Sequence, residues 1–299
     1  RVSRGLGDVY KRQILYVPKG KYGLTRQCRS DASRILLFGD GKYESVFYVG
    51  EGFDKENGTT LIWLGDGVGS SYITVQKLGF IATNHGNGDD LDGLTIHAYY
   101  NTDIVDIRSQ GGNCVERETG GLRIVDGRHT RVRLSQFHNG YCHGITVDEH
   151  LTGLSFSDNA FDETSCHVKS FGNIVELTLN GNEHGSAIRN VSYPAKSDRV
   201  MLDLRQGVHG RVAIGPSQIS SGGETEYFLL FSHIDHLTVA PQPLGNFKRF
   251  AIAGNSTTRQ MVVDGVTFFN NGTAGTTNDP TKGTRDVDTT PYCCDVFMR

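Results

Sequence analysis

The chain has 299 residues, and 30 Lys and Arg against 33 Asp and Glu leave a formal charge of −3. That near-balance argues against retention on nucleic acid or acidic lipid by bulk charge, and no apolar run is long enough to span a bilayer as a helix. Glycine is the outlier with 38 residues, about 13% against a usual 7%. Proline numbers only 7. Together with many short Val/Ile/Leu runs, this composition describes a turn-rich all-β protein.

The first stretch, Ser3-Arg4-Gly5-Leu6-Gly7-Asp8-Val9-Tyr10-Lys11-Arg12-Gln13, resembles one reading frame of a transposon adapter used in sequencing libraries. Residues 1–13 are therefore set aside, and the natural N-terminus is expected to be missing. From Ile14 onward the chain repeats itself. One stripe of apolar centres runs through Leu134, Leu154, Leu177, Leu202, Leu229 and Phe250. A second runs through Ile124, Val147, Val168, Ile188, Val212 and Val239. Both advance by roughly 23 residues per step, in the range of solenoid repeats. Around the centres apolar and polar residues alternate, as in Leu177-Thr178-Leu179 and Val212-Ala213-Ile214, which indicates strands buried on one face.

Asparagine forms a third stripe. Asn139, Asn159 and Asn182 each follow a Leu centre by five positions, and Asn255 and Asn271 repeat the offset after Phe250 and Val266. In stacked coils such side chains can bond the Asn above and below, and Asn tolerates the left-handed conformation of a tight turn. The expected fold is an all-β, right-handed, single-stranded parallel β-helix over residues 14–270. Its coils are about 4.8 Å apart. A β-propeller would need blades of about 40 residues, and an α/β fold would need helical segments that are not evident. Residues 271–299 are expected to be a polar C-terminal tail or the start of a missing segment.

Tyr16-Val17-Pro18-Lys19-Gly20-Lys21-Tyr22, then Leu36-Leu37-Phe38-Gly39-Asp40-Gly41 and Val46-Phe47-Tyr48-Val49, resemble the opening coils of the pectate-lyase-like superfamily. The Asp-rich segment and capping helix usual upstream in that superfamily are not seen here. The resemblance implies a carbohydrate-active β-helix that binds and cleaves an extracellular polysaccharide, as a glycoside hydrolase or polysaccharide lyase. It leaves open a non-catalytic glycan-binding adhesin or a phage tailspike shaft, which would imply a homotrimer and a virion surface. Asn101-Thr102-Asp103 and His143-Gly144-Ile145 also resemble polygalacturonase signatures. Gly120-Gly121-Leu122 stands where that family has paired aspartates, and Ile188-Arg189-Asn190 lacks the expected lysine.

The candidate catalytic residues are Glu163, Glu183, His143, His184 and Asp103. Glu163 and Glu183 lie five residues before Val168 and Ile188, so an unbroken register would stack their carboxylates on neighbouring coils. A pair that close can split into acid and base and would suit retaining hydrolysis. As ordinary turn residues they would simply be solvated. His143 and His184 precede stripe centres by four residues, and His209 and His236 by three. Histidine shuttles protons near neutrality, although it also serves as a partly buried corner residue. Arg189, Arg211, His209 and His236 are the candidate substrate-binding residues, since arginine clamps a sugar carboxylate bidentately. Asp89, Asp90 and Asp92 form an oxygen-rich loop of the kind that binds Ca²⁺, without EF-hand spacing. Gly65-Asp66-Gly67-Val68-Gly69 is a turn rather than a dinucleotide loop, because no helix pattern follows it.

Overall fold

The computed structural model describes residues 13–82, 91–111, 118–138, 142–185, 187, 199–219, 225–245, 247, 251–254, 259–269, 287–288 and 296–298. It is an all-β parallel β-helix. A full coil contributes three strands, such as Gly120–Ile124, Thr130–Arg133 and Gln136–His138. Each pairs in parallel with its counterpart one coil on: His143–Val147, Leu151–Ser157 and Ala160–Asp162. The coils thus build three faces, here called first, second and third in chain order. The long strands Thr60–Gln76 and Asp92–Val105 pass from the first face into the second without a break. The third face is an eight-stranded sheet, continued by the separate pair Pro243–Gly245 and Thr267–Phe269. No helix among the described residues is long and apolar enough to cross a membrane.

Two short turns set the corners. Lys77, Asp106, Leu134, Asp158 and Gly181 each take positive φ where the second face gives way to the third. Arg34, Tyr72, Asn101 and His129 do the same between the first and second faces. One left-handed residue at each corner turns the chain in a minimum of length. The residue that follows at the second-to-third corner points inward and seals the turn. Asn159 Nδ2 donates to Asn182 Oδ1 at 3.1 Å and to Val132 O at 2.9 Å, while Asn159 Oδ1 accepts from Ser135 N at 3.0 Å. Asn159 and Asn182 therefore stack as expected. Ser135 occupies the rung assigned to Asn139, which, like Asn255 and Asn271, lies outside the described residues.

The apolar stripes need a correction. Leu154 and Leu177 are rung neighbours, as are Ile124 and Val147. Leu177, however, continues to Val212 and Leu237 on the second face, whereas Leu202 and Leu229 stack on Val168 on the first. Each expected stripe had crossed from one face to another, because strands on both faces recur at nearly the same interval. Leu134 is the half-exposed turn residue rather than a strand centre.

Strand alternation fails at one place in the first-face strands from Thr60–Gln76 onward, and this positions the site. In His143–Val147 the side of Gly144 faces Phe161 and Phe137, and Ile145 also lies in the core. Two consecutive inward positions recur at Leu61-Ile62, Met201-Leu202, Phe228-Leu229 and Ala251-Ile252. The residues on either side of each inward pair project outward. The third face supplies the opposite wall of the core with an aromatic ladder of Tyr22, Phe47 and Phe80, then Phe137, Phe161 and His184 after Ser109. Phe137 and Phe161 stack with centroids 5.4 Å apart. Strand pairing extends into the segment expected as a tail, where Val287 pairs with Ile252 and Val296 with Met261.

Candidate functional site

The outer side of the first face carries two stacked columns. One passes through Thr60, Asp92, Gly120, His143, Cys166, Val200 and Tyr227; the other through Trp63, Thr95, Arg123, Thr146, Lys169, Asp203 and Leu230. Aromatic and apolar residues stand at the two ends, and the charged side chains collect in the middle coils. Parallel pairing places equivalent residues about 4.8 Å apart, so side chains from successive coils come within reach of one another.

Arg123 is its first node. Its Nε donates to Asp148 Oδ2 at 2.6 Å and its Nη1 to Asp92 Oδ2 at 3.2 Å, while Asp92 Oδ1 accepts from Gly120 N at 2.7 Å. Burial alone would lower the Arg123 pKa, but Asp92 and Asp148 raise it above its usual range. Asp92 is 1% exposed, and both of its oxygens are taken by these donors. Asp89 and Asp90 lie outside the described residues, and no group of metal-binding side chains occurs among the described ones.

Glu118 is the second node. It accepts from Lys169 Nζ at 3.2 Å and lies 3.1 Å from His143 Nε2. Burial depresses the His143 pKa, and Glu118 offsets part of that effect. Asp203 and Arg205 close the cluster with a two-pronged contact, Nε to Oδ1 at 2.9 Å and Nη2 to Oδ2 at 2.7 Å. Four buried polar atoms on this face have no hydrogen-bond partner among the described residues: Thr95 Oγ1, His143 Nδ1, Thr146 Oγ1 and Asp148 Oδ1. Cys166 adds a buried free thiol whose pKa burial pushes up, whereas Cys142 is in a disulfide.

The expected carboxylate pair does not form. Glu183 has Ala160 as its rung neighbour, and His184 has Phe161. Glu163 sits three positions past Ala160, exposed and at φ 54° in a turn. Val168 has Leu202 as its rung neighbour and not Ile188, which lies outside the described residues, so the two equal offsets do not mark equivalent positions. His184 is a core residue, 1% exposed, stacked on Phe161 at 5.3 Å and on His167 at 5.2 Å. Burial lowers its pKa to about 4, so it cannot serve the surface as a proton shuttle.

Asp103 lies on the second face, paired with Arg133 at 3.1 Å and 3.7 Å from Arg131. Arg211 and His236 are rung neighbours there, continuing the column of Gly153 and Glu176. His209 is instead buried at the corner, its Nε2 3.0 Å from Gln206 O. Arg189 lies outside the described residues. Of the expected residues, then, only His143 and Asp92 share the first-face cluster. Glu118, Arg123, Asp148, Lys169, Asp203 and Arg205 were missed. A five-residue pattern would have found four of the coils: Asp92-Gly-Leu-Thr-Ile, Gly120-Gly-Leu-Arg-Ile, His143-Gly-Ile-Thr-Val and Val200-Met-Leu-Asp-Leu all leave their first and fourth residues outside. No family model, curated protein or solved structure matches the chain.

Proposed function

We propose that the first face binds an extended polysaccharide along the solenoid and cleaves it, in keeping with the resemblance to pectate-lyase-like proteins. The observation that carries this is the ladder of charged side chains along the first face, in which Glu118 and Asp148 remain partly exposed beside Lys169 and Arg123. A hydroxyl-rich polymer lying across the coils would meet these carboxylates and cations at the coil spacing.

Glu118 and Asp148 are the carboxylates best suited to chemistry. Their side chains are 30% and 21% exposed, and each is held by a cation, Lys169 and Arg123. Held carboxylates at the rim of a water-poor surface can transfer protons or stabilise positive charge at a sugar carbon. His143 acts as a positioning residue for Glu118. Arg123 and Arg205 are already closed by carboxylates, which favours hydrolysis over elimination from a uronate, since no arginine of this cluster is open to clamp the substrate acid.

The test is incubation with neutral and acidic glycans, following new reducing ends and ultraviolet absorbance. Glu118→Gln and Asp148→Asn should each lower turnover at least 100-fold while leaving the fold intact. Full activity in both variants removes the first face as the active site. An absorbing, unsaturated product would replace hydrolysis by elimination. A binding-only fibre surface is the other reading, and is identified by saturable glycan binding without chain scission.

A further inference from the structure

The geometry points to a second saccharide-binding site, independent of the first face, in a groove of about 490 Å³ on the outer side of the third face. That volume lies within the range of small-ligand sites. The groove is lined by Tyr43, Arg108, Gln136, His138, Asp162 and Glu183, over a floor that includes Ala160 and Phe161.

One wall is prearranged. Tyr43 comes from an early coil yet reaches across the solenoid, and its hydroxyl donates to Gln136 Oε1 at 2.5 Å. Lys42 anchors the same segment through Leu134 O at 3.2 Å and Asp106 at 2.9 Å. The Tyr43 ring is 58% exposed, with the Arg108 guanidinium 5.1 Å from its centroid. Arg108 Nε in turn donates to His138 Nε2 at 2.8 Å, and Arg108 also bonds Gln110. Burial and the Arg108 charge both depress the His138 pKa, so the imidazole stays neutral and accepts that bond. A rigid aromatic edge with fixed planar polar groups costs little entropy on binding.

The other wall is unpaired. Asp162 and Glu183 make no hydrogen bond or ion pair among the described residues, unlike every carboxylate of the first-face cluster. Rung pairing of Ala160 with Glu183 sets the two acids on a diagonal, one coil and two residues apart. Gly185 completes that wall, because a Cβ there would strike Asp162 Oδ1. Carboxylates accept paired hydroxyl protons of a sugar, and an aromatic ring packs on its C–H face. Two free acids against one engaged arginine repel uronates. The ligand is therefore a neutral sugar unit.

Neutral oligosaccharides of glucose, xylose, mannose and galactose serve as probes, with oligogalacturonate as the acidic comparison, and binding is followed by calorimetry and ligand-detected magnetic resonance. At least one neutral probe should bind saturably, with affinity falling tenfold or more in Tyr43→Ala and in Gly185→Leu. Tyr43 is a surface residue, so its removal keeps the test valid should Gly185→Leu fail to fold. Asp148→Asn, on the first face, should leave this binding unchanged. Absence of cleavage by the parent protein, or full cleavage by Asp148→Asn, with neutral-probe binding retained disproves only the first-face function. Binding abolished by Asp148→Asn but untouched by Tyr43→Ala overturns the second site. So does the absence of binding by every neutral probe, or tighter binding of the galacturonate.

Discussion

His184 occupies the rung of the internal ladder directly after Phe137 and Phe161, and protonating it there should unfold the protein from within. Its pKa in the folded chain is about 4, against 6.5 when solvated, because burial disfavours the charged ring. Above pH 6.5 the ring is neutral in both states and costs nothing. As pH falls below 6.5, the unfolded chain takes a proton that the folded chain refuses, so stability declines until about pH 4. At about 1.4 kcal/mol per pH unit, the loss reaches about 3 kcal/mol. The assay is urea unfolding of the parent and of His184→Phe, followed through the single tryptophan, Trp63, at pH 7 and pH 4.5. Phenylalanine should keep the stack on Phe161 but leave His167 Nδ1 without the contact made at 3.0 Å. The variant therefore starts about 1–3 kcal/mol less stable at pH 7. Its further loss on acidification should be smaller than the parent's by about 2–3 kcal/mol. Equal acid losses in the two proteins would show that His184 does not resist protonation, and the account of its burial would be wrong.

Other perturbations probe the frame around the site. Asn159→Ala removes bonds to Ser135 N, Val132 O and Asn182; it should cost about 3 kcal/mol in chemical denaturation and speed amide exchange at Ser135. Unchanged exchange there would mean that the ladder carries no strain-bearing role at the corner. Arg123→Met leaves the Asp92 carboxylate buried without its counter-charge, at a cost of about 3 kcal/mol. Adding Asp92→Asn should return part of that loss, and a strictly additive double variant would disprove the coupling.

Much of the fold was legible because it rests on period alone. A repeat near 23 residues, alternation within short runs and Asn159 above Asn182 all follow from stacking one coil on another. Assigning each run to a face was harder. Leu177 and Leu202 stand one period apart in sequence, yet the first belongs with Val212 and the second with Val168. Three strands share each turn of the solenoid, and a spacing by itself does not tell which of them a run occupies.

The candidate chemistry was less legible for the same reason. Glu163 and Glu183 hold equal offsets from their assumed centres, but the offset from a strand survives only while every turn has one length. His184 was a catalytic candidate because it lies four residues before Ile188, whereas its rung mate Phe161 places it in the core. The first-face cluster depends on two inward residues in succession, which breaks the alternation used to tell inside from outside.

Sequence alone determined that this chain must wind, since short half-apolar strands at a constant interval bury their faces only by stacking on their own copies. Which side chains meet was decided by the corners: a left-handed residue here and a doubled inward position there rotate the following strand. Those rotations bring Glu118, His143 and Lys169 together and send Glu163 and Glu183 apart.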